Sequence, residues 1–322
     1  REKRGAIDFD STETSIVFND KGKIDFIKPI YRNEAHRIIE ECMLSANVCA
    51  ANYLLDNPGD GIYRNHETPS EEKLTNLRDF LLDFGLTLGG GSEPTVKDYG
   101  EILKKIANRP DAHLLQTVLL RSMQQAAYSS KNLGHFGLAY SAYTHFTSPI
   151  RRYPDLLVHR AIKSQLDGKN PKIKNIGAIA LHCSTTERTA DDATRDVESW
   201  LKCYFMQDKV GESFWGTVAG VTGFGLFMEL DDIYIEGLLH VTELGNDYFT
   251  YDKARHAMVG EKTNLTYRLG DRLEIKVIRV DLDSIKIDLG LIGSQKKPSK
   301  KFKKSFIRAE KSKKKITRRK KK

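Results

Sequence analysis

The chain has 322 residues, a formal net charge of +9 and only four cysteines. This length allows two domains with buried cores. No run of 18 apolar residues occurs, which excludes a predicted transmembrane helix, and we expect a cytoplasmic protein without a membrane partner. The cysteines lack CxxC spacing and so predict reduced core thiols instead of a disulfide or zinc framework: Cys42, Cys49, Cys183 and Cys203.

The positive charge is concentrated at the C-terminal end. Residues 296–322 contain 16 Lys or Arg and a single acid, Glu310, so the rest of the chain is net acidic. Residues 294–322 have few apolar side chains, and we expect this segment to be a disordered tail. Such a tail attracts phosphate backbones whatever their sequence, and contacts with a ribosome or a protein fit the same composition.

The first elements along the chain are a hairpin and a long helix. Apolar residues on either side of a turn that ends at Gly22 predict a β-hairpin within residues 5–30. Residues 33–53 follow the 3-and-4 spacing of an amphipathic helix that begins near Asn33. We expect its polar residues on a solvated face (Glu40, Glu41, Asn47) and its apolar stripe in the core (Ile38, Ile39, Cys42, Met43, Ala46, Cys49, Ala50, Tyr53).

A polar loop and three helices follow. The loop, 63–70, ends at Ser70, which caps an amphipathic helix running to Leu86. Three glycines, 89–91, form a connector, because no Gly-Lys-Ser/Thr of a phosphate-binding loop follows them. Two further helices are predicted over residues 96–106 and 111–128.

The next segment brings two arginines to the start of a helix. A Ser-Pro step at 148–149 stops any helix that arrives there, and a new helix is predicted over residues 154–166. Arg151 and Arg152 therefore lie on a turn where backbone N–H groups, the helix dipole and a planar guanidinium all favour an anion. A plain solvated loop, or an ion pair of either arginine with Asp155, fits the same residues.

Residues 176–211 predict one long helix, and a barrel follows it. The acids of the helix alternate with arginines, so intrahelical ion pairs explain them better than a metal site does: Asp191, Asp192 and Asp196 with Arg188 and Arg195. After residue 211, strand-like runs with glycines at their bends predict a small closed barrel. The five runs are 214–218, 222–230, 233–241, 272–280 and 284–289.

These segments carry motifs that resemble known families. His135-Phe-Gly-Leu and Tyr143-Thr-His-Phe-Thr-Ser-Pro-Ile-Arg-Arg-Tyr resemble the signature of the ribonuclease II/R (RNB) family of processive 3′-to-5′ exoribonucleases. Gly223-Phe-Gly-Leu-Phe and Glu236-Gly-Leu-Leu-His-Val resemble the RNA-binding OB-fold of the S-one ribosomal type. The resemblance implies an α+β chain with three parts: the C-terminal helical part of an RNB catalytic domain (1–210), an OB-fold β-barrel (211–293) and a disordered basic tail (294–322).

The resemblance also implies roles for individual residues. Arg151 matches the arginine that holds the scissile phosphate, with Arg152 supporting it, and we predict both as catalytic. Further residues are predicted to shape the RNA channel or to contact RNA: Tyr143, His145 and Ser148 at the channel end, Phe9 as a stacking ring, and Arg64 and His66 in a loop beside the channel. For Glu40, Glu41 and Asn47 the resemblance leaves a place in the substrate channel open beside the solvated face.

Magnesium is the implied cofactor. In the family, aspartates in a segment N-terminal to the start of this chain hold the metal, and no Asp-rich stretch of that form occurs here. The early carboxylates Asp8 and Asp10 fit an exposed strand or turn edge better than a metal site. We therefore predict no metal ligand in this chain, and we expect the chain as given to be inactive or weakly active.

The barrel resemblance implies aromatic side chains that stack with bases on one barrel face. The candidates are Phe214 or Trp215, Phe224, Phe227, His240 and Tyr248. For Phe214 and Phe227 the sequence leaves barrel core and barrel surface equally open. For Phe224, beside two glycines in a turn, and for His240, it favours the surface.

Together these features predict a monomeric enzyme of RNA decay and quality control. It would degrade single-stranded and structured RNA from the 3′ end to nucleoside 5′-monophosphates. A different class of protein fits part of the same sequence. In a non-catalytic RNA-binding adaptor, the OB-fold and the tail would carry the function and the helical part would be scaffold.

Overall fold

The computed structural model of the chain describes three stretches, 13–109, 112–252 and 255–292. The side chains of His113 and Leu114 are not among the described ones. The predictions for Phe9, for the early carboxylates and for the basic tail therefore lie outside the described residues.

Two compact units make up the chain. The helical unit comprises residues 1–74 and 89–201, and the barrel unit comprises residues 75–88 and 202–322. None of the helices in the described stretches combines the length and the apolar character needed to cross a membrane.

The helical unit begins with the predicted hairpin. Strand β1 (Glu13–Phe18) pairs antiparallel with β2 (Ile24–Ile30), and Gly22 takes a positive φ of 71° in the turn. Helix α1 (Glu34–Asp56) follows, and its N-cap residue Asn33 accepts a hydrogen bond from the His36 N–H. Both elements are confirmed, because local turn and capping chemistry specify them.

The buried face of α1 differs from the predicted one. Its buried residues are Asn47, Ala50, Ala51 and Leu54, in the second half of the helix. The predicted core residues Ile38, Ile39, Cys42, Met43 and Cys49 are exposed instead. The prediction was wrong because spacing identifies an apolar stripe, whereas packing against other elements decides which part of a helix is covered. Of the four free cysteines, only Cys183 and Cys203 are buried.

Residues 63–129 contain two short strands that the sequence analysis missed. Strand β3 (Tyr63–Asn65) lies in the predicted polar loop and pairs antiparallel with β4 (Ala127–Ser129). Between them lie three helices, α2 (Glu71–Asp83), α3 (Val96–Ile106) and α4 (Ala112–Ser122). Helix α4 ends six residues before the predicted end, because residues 127–129 form backbone hydrogen bonds with β3 instead.

Two helices complete the helical unit. Helix α5 (Tyr153–Leu166) begins where predicted, with Arg152 as its N-cap residue. It packs on α1 through Ala50, Leu54, Val158 and Ala161. Helix α6 (Ile176–Met206) ends slightly before the predicted boundary. The three aspartates of the predicted pairs are exposed, and Asp192 lies 3.8 Å from Arg195 in the predicted i,i+3 pair.

The described residues of the barrel unit form the strands β5 (Ser213–Thr222), β6 (Gly225–Leu230), β7 (Glu236–His240), β8 (Phe249–Asp252), β9 (Ala257–Gly260), β10 (Thr266–Arg268), β11 (Arg272–Asp281) and β12 (Lys286–Leu291). Five of them make a closed barrel in the order β11-β12-β7-β6-β5, as predicted for an OB-fold. Neighbouring strands of the barrel are antiparallel except β7 and β12, which are parallel. A separate three-stranded sheet, β10-β9-β8, was not predicted.

Aliphatic side chains fill the barrel. They alternate with outward-facing residues along each strand. Gly225 begins β6 with a φ of 156°, and a Cβ atom there would collide with the Leu239 carbonyl oxygen. The bend that the sequence predicted at this glycine therefore has a steric reason. The barrel core includes Val218, Leu226, Met228, Leu230, Leu239, Ile275, Val277 and Leu289.

Candidate active site and nucleic-acid interface

The helical unit contains a cavity of about 280 Å³ between α1 and the segment that precedes α5. Its volume lies just below the usual range for ligand pockets, about 300–1,000 Å³. Five predicted site residues line it together: Tyr143, His145, Ser148, Arg151 and Arg152. The other lining residues are Glu40, Met43, Leu44, Asn47 and Thr147.

A turn at Ser148 delivers the two arginines to the cavity. The Ser148 carbonyl accepts hydrogen bonds from the Arg151 N–H at 3.3 Å and the Arg152 N–H at 3.0 Å. Asp155, in the first turn of α5 and fully buried, accepts from the Ser148 N–H and from the Arg152 guanidinium, both at 2.8 Å. The carboxylate therefore fixes the turn and one guanidinium at once.

The two arginines differ in what holds them. Of the alternatives that the sequence left open, Arg152 forms the ion pair with Asp155. Arg151 is exposed and has no ion pair within the described stretches. Because a guanidinium can donate two parallel hydrogen bonds to phosphate oxygens, Arg151 offers the cavity an available anion-binding group.

The opposite cavity wall depends on Asn47, for which the sequence left a solvated face and a place in the substrate channel open. Its side chain is 4% exposed, donates to the Tyr143 hydroxyl oxygen at 2.9 Å and accepts from the Phe146 N–H at 2.9 Å. Burial raises the pKa of Tyr143, so its hydroxyl stays protonated. The sequence contains one indication that Asn47 is buried: it shares a helical face with Ala50, Ala51 and Leu54.

His145 is held from behind the cavity by residues that the sequence analysis did not single out. Its Nδ1 atom lies 2.7 Å from the Tyr128 hydroxyl oxygen, and that hydroxyl lies 3.4 Å from Glu187 Oε1. Burial, reinforced by the charges of Arg152 and Arg64, lowers the pKa of His145 to about 2. The imidazole is therefore neutral at physiological pH.

Arg64 and His66, which the family resemblance predicts to contact RNA, have internal partners. The Arg64 side chain is 14% exposed and forms an ion pair with Glu187 at 2.5 Å. His66 is buried, accepts from the Gly137 N–H at 3.0 Å and stacks on His135 at 5.0 Å between ring centroids. Burial lowers the pKa of His66 and brings that of His135 to about 3. Both residues therefore have a structural role, and their contact with RNA stays a prediction.

The cavity does not fit a divalent cation. Within residues 13–109, 112–252 and 255–292, no group of three or more His, Cys, Asp or Glu side chains is placed to hold a metal ion. The only carboxylate that lines the cavity is Glu40, and it forms an ion pair with Arg32. Since Mg²⁺ prefers several oxygen ligands and two arginines repel it, these residues favour an anion.

The barrel unit presents a cluster of three rings on its outer surface. Phe224 is 50% exposed, and its ring lies edge-on to Phe227 at 5.9 Å between centroids. His240 is exposed and pairs in register with Gly225, which directly follows Phe224 and lies two positions before Phe227. Phe227, left open by the sequence, is half-buried on the outward side of β6, because its neighbours Leu226 and Met228 point into the core.

The remaining barrel candidates lie elsewhere. Phe214, for which the sequence left core and surface open, is half-buried and shares the inward side of β5 with Gly216 and Val218. Trp215 points outward, and the Arg272 guanidinium lies 5.1 Å from its ring centroid. Tyr248 is 69% exposed but precedes β8, outside the barrel strands.

Comparison with known proteins agrees with this architecture. The family model described as RNB domain matches residues 1–168, and the model described as S1 RNA binding domain matches residues 207–292. Ribonuclease R of Escherichia coli (strain K12) is 47% identical over 311 residues, which are 92% of this chain but only 38% of that relative. The chain thus spans about two fifths of the length of this curated relative.

Solved structures give the same result. Mycoplasma genitalium RNase R in complex with ribose methylated single-stranded RNA matches 90% of this chain and 47% of its own, with 31% identity and a TM-score of 0.83. The same protein in complex with double-stranded RNA matches with 28% identity and a TM-score of 0.75. The RNB model covers more than half of the chain, and the fold and motifs agree with it, so the chain belongs to the RNB family of ribonucleases and carries an S1 RNA-binding domain.

Proposed function

We propose that the protein to which this chain belongs is a processive 3′-to-5′ exoribonuclease that hydrolyses single-stranded and structured RNA to nucleoside 5′-monophosphates. The observation that carries the proposal is the cavity of the helical unit. It combines an available guanidinium, Arg151, with a second one that Asp155 holds in place. The similarity to ribonuclease R over most of the chain supports the same activity.

The residues of the cavity suit one step of such a reaction. Phosphodiester hydrolysis concentrates negative charge on the phosphoryl oxygens, and a guanidinium already in position stabilises that charge. Arg151 is the group that would contact the scissile phosphate. Arg152 adds positive charge from a fixed position, and the neutral His145 and Tyr143 shape the wall. Magnesium dependence of the whole protein remains a prediction from the family, because the described residues supply no ligand set.

The proposal also assigns work to each part of the chain. Residues 1–210 would belong to the cutting domain, residues 211–293 would bind RNA through exposed rings, and residues 294–322 would attract phosphate backbones. Ribosome contact through the tail, a monomeric state and a cytoplasmic location remain predictions. The relatives bound to single- and double-stranded RNA support RNA as the ligand class.

Replacing the available guanidinium tests the proposal. In the longest form of the protein that its gene encodes, Arg151→Ala should lower turnover of a 5′-labelled single-stranded RNA about 100- to 1,000-fold, by analogy with the loss of one preorganised donor. Arg160→Ala is the matched control, because Arg160 is exposed on α5 and does not line the cavity. Wild-type turnover by Arg151→Ala would remove the assignment.

A non-catalytic RNA-binding adaptor is the second candidate, favoured by the exposed ring cluster of the barrel. Product analysis separates the two functions. An exoribonuclease releases mononucleotides from the first minutes of the reaction, whereas an adaptor shifts RNA in a gel and leaves its length unchanged.

A further inference from the structure

Four polar side chains from four segments of the helical unit meet behind the cavity. Tyr128 of β4 contacts His145 Nδ1 at 2.7 Å and Glu187 of α6 at 3.4 Å through its hydroxyl. Glu187 Oε2 in turn lies 2.5 Å from the Arg64 guanidinium of β3. This path connects the middle of α6 to a side chain that lines the cavity, and the proposed function leaves three of its four members without a task.

Packing holds the path in one arrangement. The Arg64 guanidinium lies 4.6 Å from the centroid of the Tyr128 ring, and the Arg64 N–H donates to the Tyr143 carbonyl at 2.9 Å. The Tyr128 N–H donates to Ser184 Oγ, also on α6, at 2.9 Å. Hydrogen bonds and one ion pair therefore connect β3, β4 and α6 around the Tyr128 side chain.

The charges of the path balance each other. Arg64 and Glu187 have side chains only 14% and 28% exposed, so each would be costly to bury without the other. Burial raises the pKa of the Tyr128 hydroxyl and lowers that of His145, so both groups are neutral near pH 7. No proton needs to move along the path. Its four side chains can therefore serve to keep the His145 ring in one position.

A neutral imidazole carries its proton on one of two nitrogens, and the partner of one nitrogen determines what the other presents. Here the Tyr128 hydroxyl donates its one proton to Glu187 Oε1, so its oxygen accepts from His145 Nδ1–H, which fixes the ring orientation and leaves Nε2 without a proton. We propose that Glu187, acting through Arg64 and Tyr128, is a positioning residue that fixes the orientation and the tautomer of His145 in the cavity. The inference rests on the proposed function, because the position of His145 matters for RNA cleavage only if the cavity is the active site.

The first test reads the tautomer directly. The ¹⁵N NMR shifts of the His145 ring should show one tautomer in the wild-type protein and a mixture of two in Tyr128→Phe, which loses only the hydroxyl. Glu187→Gln keeps the shape but loses the ion pair, and it should show a smaller shift toward the mixture. Glu198→Gln, an exposed change on the same helix, is the control. If a folded Tyr128→Phe or Glu187→Gln variant shows the same ¹⁵N shifts of the His145 ring as the wild-type protein, the inference is overturned.

The second test reads the reaction. Tyr128→Phe and Glu187→Gln should lower kcat about tenfold while KM for single-stranded RNA changes less than about threefold, because a misplaced wall affects the reacting geometry more than ground-state binding. An equal loss in Glu198→Gln, or unchanged kcat in both path variants, would contradict the inference. The NMR readout needs no activity, so inactivity of the longest wild-type form that the gene encodes would refute the proposed function and still leave the positioning inference testable.

Discussion

The helical unit and the barrel unit present their polar and aromatic groups in opposite ways. In the helical unit, Tyr143, Asn47 and Asp155 are buried and are held by hydrogen bonds around one cavity. In the barrel unit, Phe224 and His240 stand on the outer surface, and the interior is aliphatic.

This difference separates two modes of recognition. A cavity with fixed partners can align one phosphate group and stabilise charge on it, at the cost of many coordinated side chains. Exposed rings bind bases of any sequence by stacking, and each contributes independently. We therefore expect changes in the helical unit to affect stability and turnover together, and changes on the barrel face to affect RNA affinity alone.

The largest effect should follow from removing the carboxylate under the arginine turn. Asp155→Ala leaves the Arg152 guanidinium and the Ser148 N–H without their partner, and we expect a loss of about 3 kcal/mol in the free energy of unfolding. Urea denaturation followed by helical circular dichroism measures it.

Asp192→Ala is the control for burial. Its pair with Arg195 is exposed at 3.8 Å, and its loss should change the free energy of unfolding by less than about 1 kcal/mol. Equal losses in the two variants would break the comparison, because burial would then make no difference.

The barrel face should respond in affinity and not in stability. Phe224→Ala removes a half-exposed ring, and we expect RNA binding to weaken by about 1–3 kcal/mol. Fluorescence anisotropy with a single-stranded homopolymer at fixed salt gives the Kd, and Ile278→Ala, an exposed apolar change on β11, is the control. If both variants bind like the wild type, the ring cluster has no part in binding.

Acid should weaken the helical unit through its buried histidines. The pKa of His145 is about 2 in the folded protein, against about 6.5 when unfolded, so below pH 6.5 the unfolded state binds a proton that the native state does not. The stabilising contribution is complete above pH 6.5 and is lost as pH falls toward 2. Between pH 7.5 and 5.5 it should decrease by about 1.4 kcal/mol, and His145→Gln should lack this decrease. Parallel pH profiles for the two proteins would show that burial does not hold the ring neutral.

Local chemistry explains which elements were predictable. The hairpin with its glycine turn, α1 with its Asn33 cap and the start of α5 beside a Ser-Pro step all follow from neighbouring residues. The alternation of the barrel strands also follows from short-range pattern, and the five strands lie where expected.

The failures share a different cause. Strand β3 was read as a loop, since its three residues form a strand only by pairing with β4, more than sixty positions away. The exposed apolar residues at the start of α1 were read as core, because spacing does not reveal what covers a helix. The partly buried position of Glu187 could not be predicted, because it is one of many polar residues on a charged helix.

The amino-acid sequence by itself determined the family motifs, the order of the helices and of the barrel strands, and the turn that carries Arg151 and Arg152, because each depends on residues close together in the chain. Only the tertiary structure decided which arginine Asp155 holds, which rings face outward from the barrel, and that Arg64 and His66 face inward. The reason is physical: ion pairs and burial depend on distances in space, and residues separated by up to 123 positions determine them here.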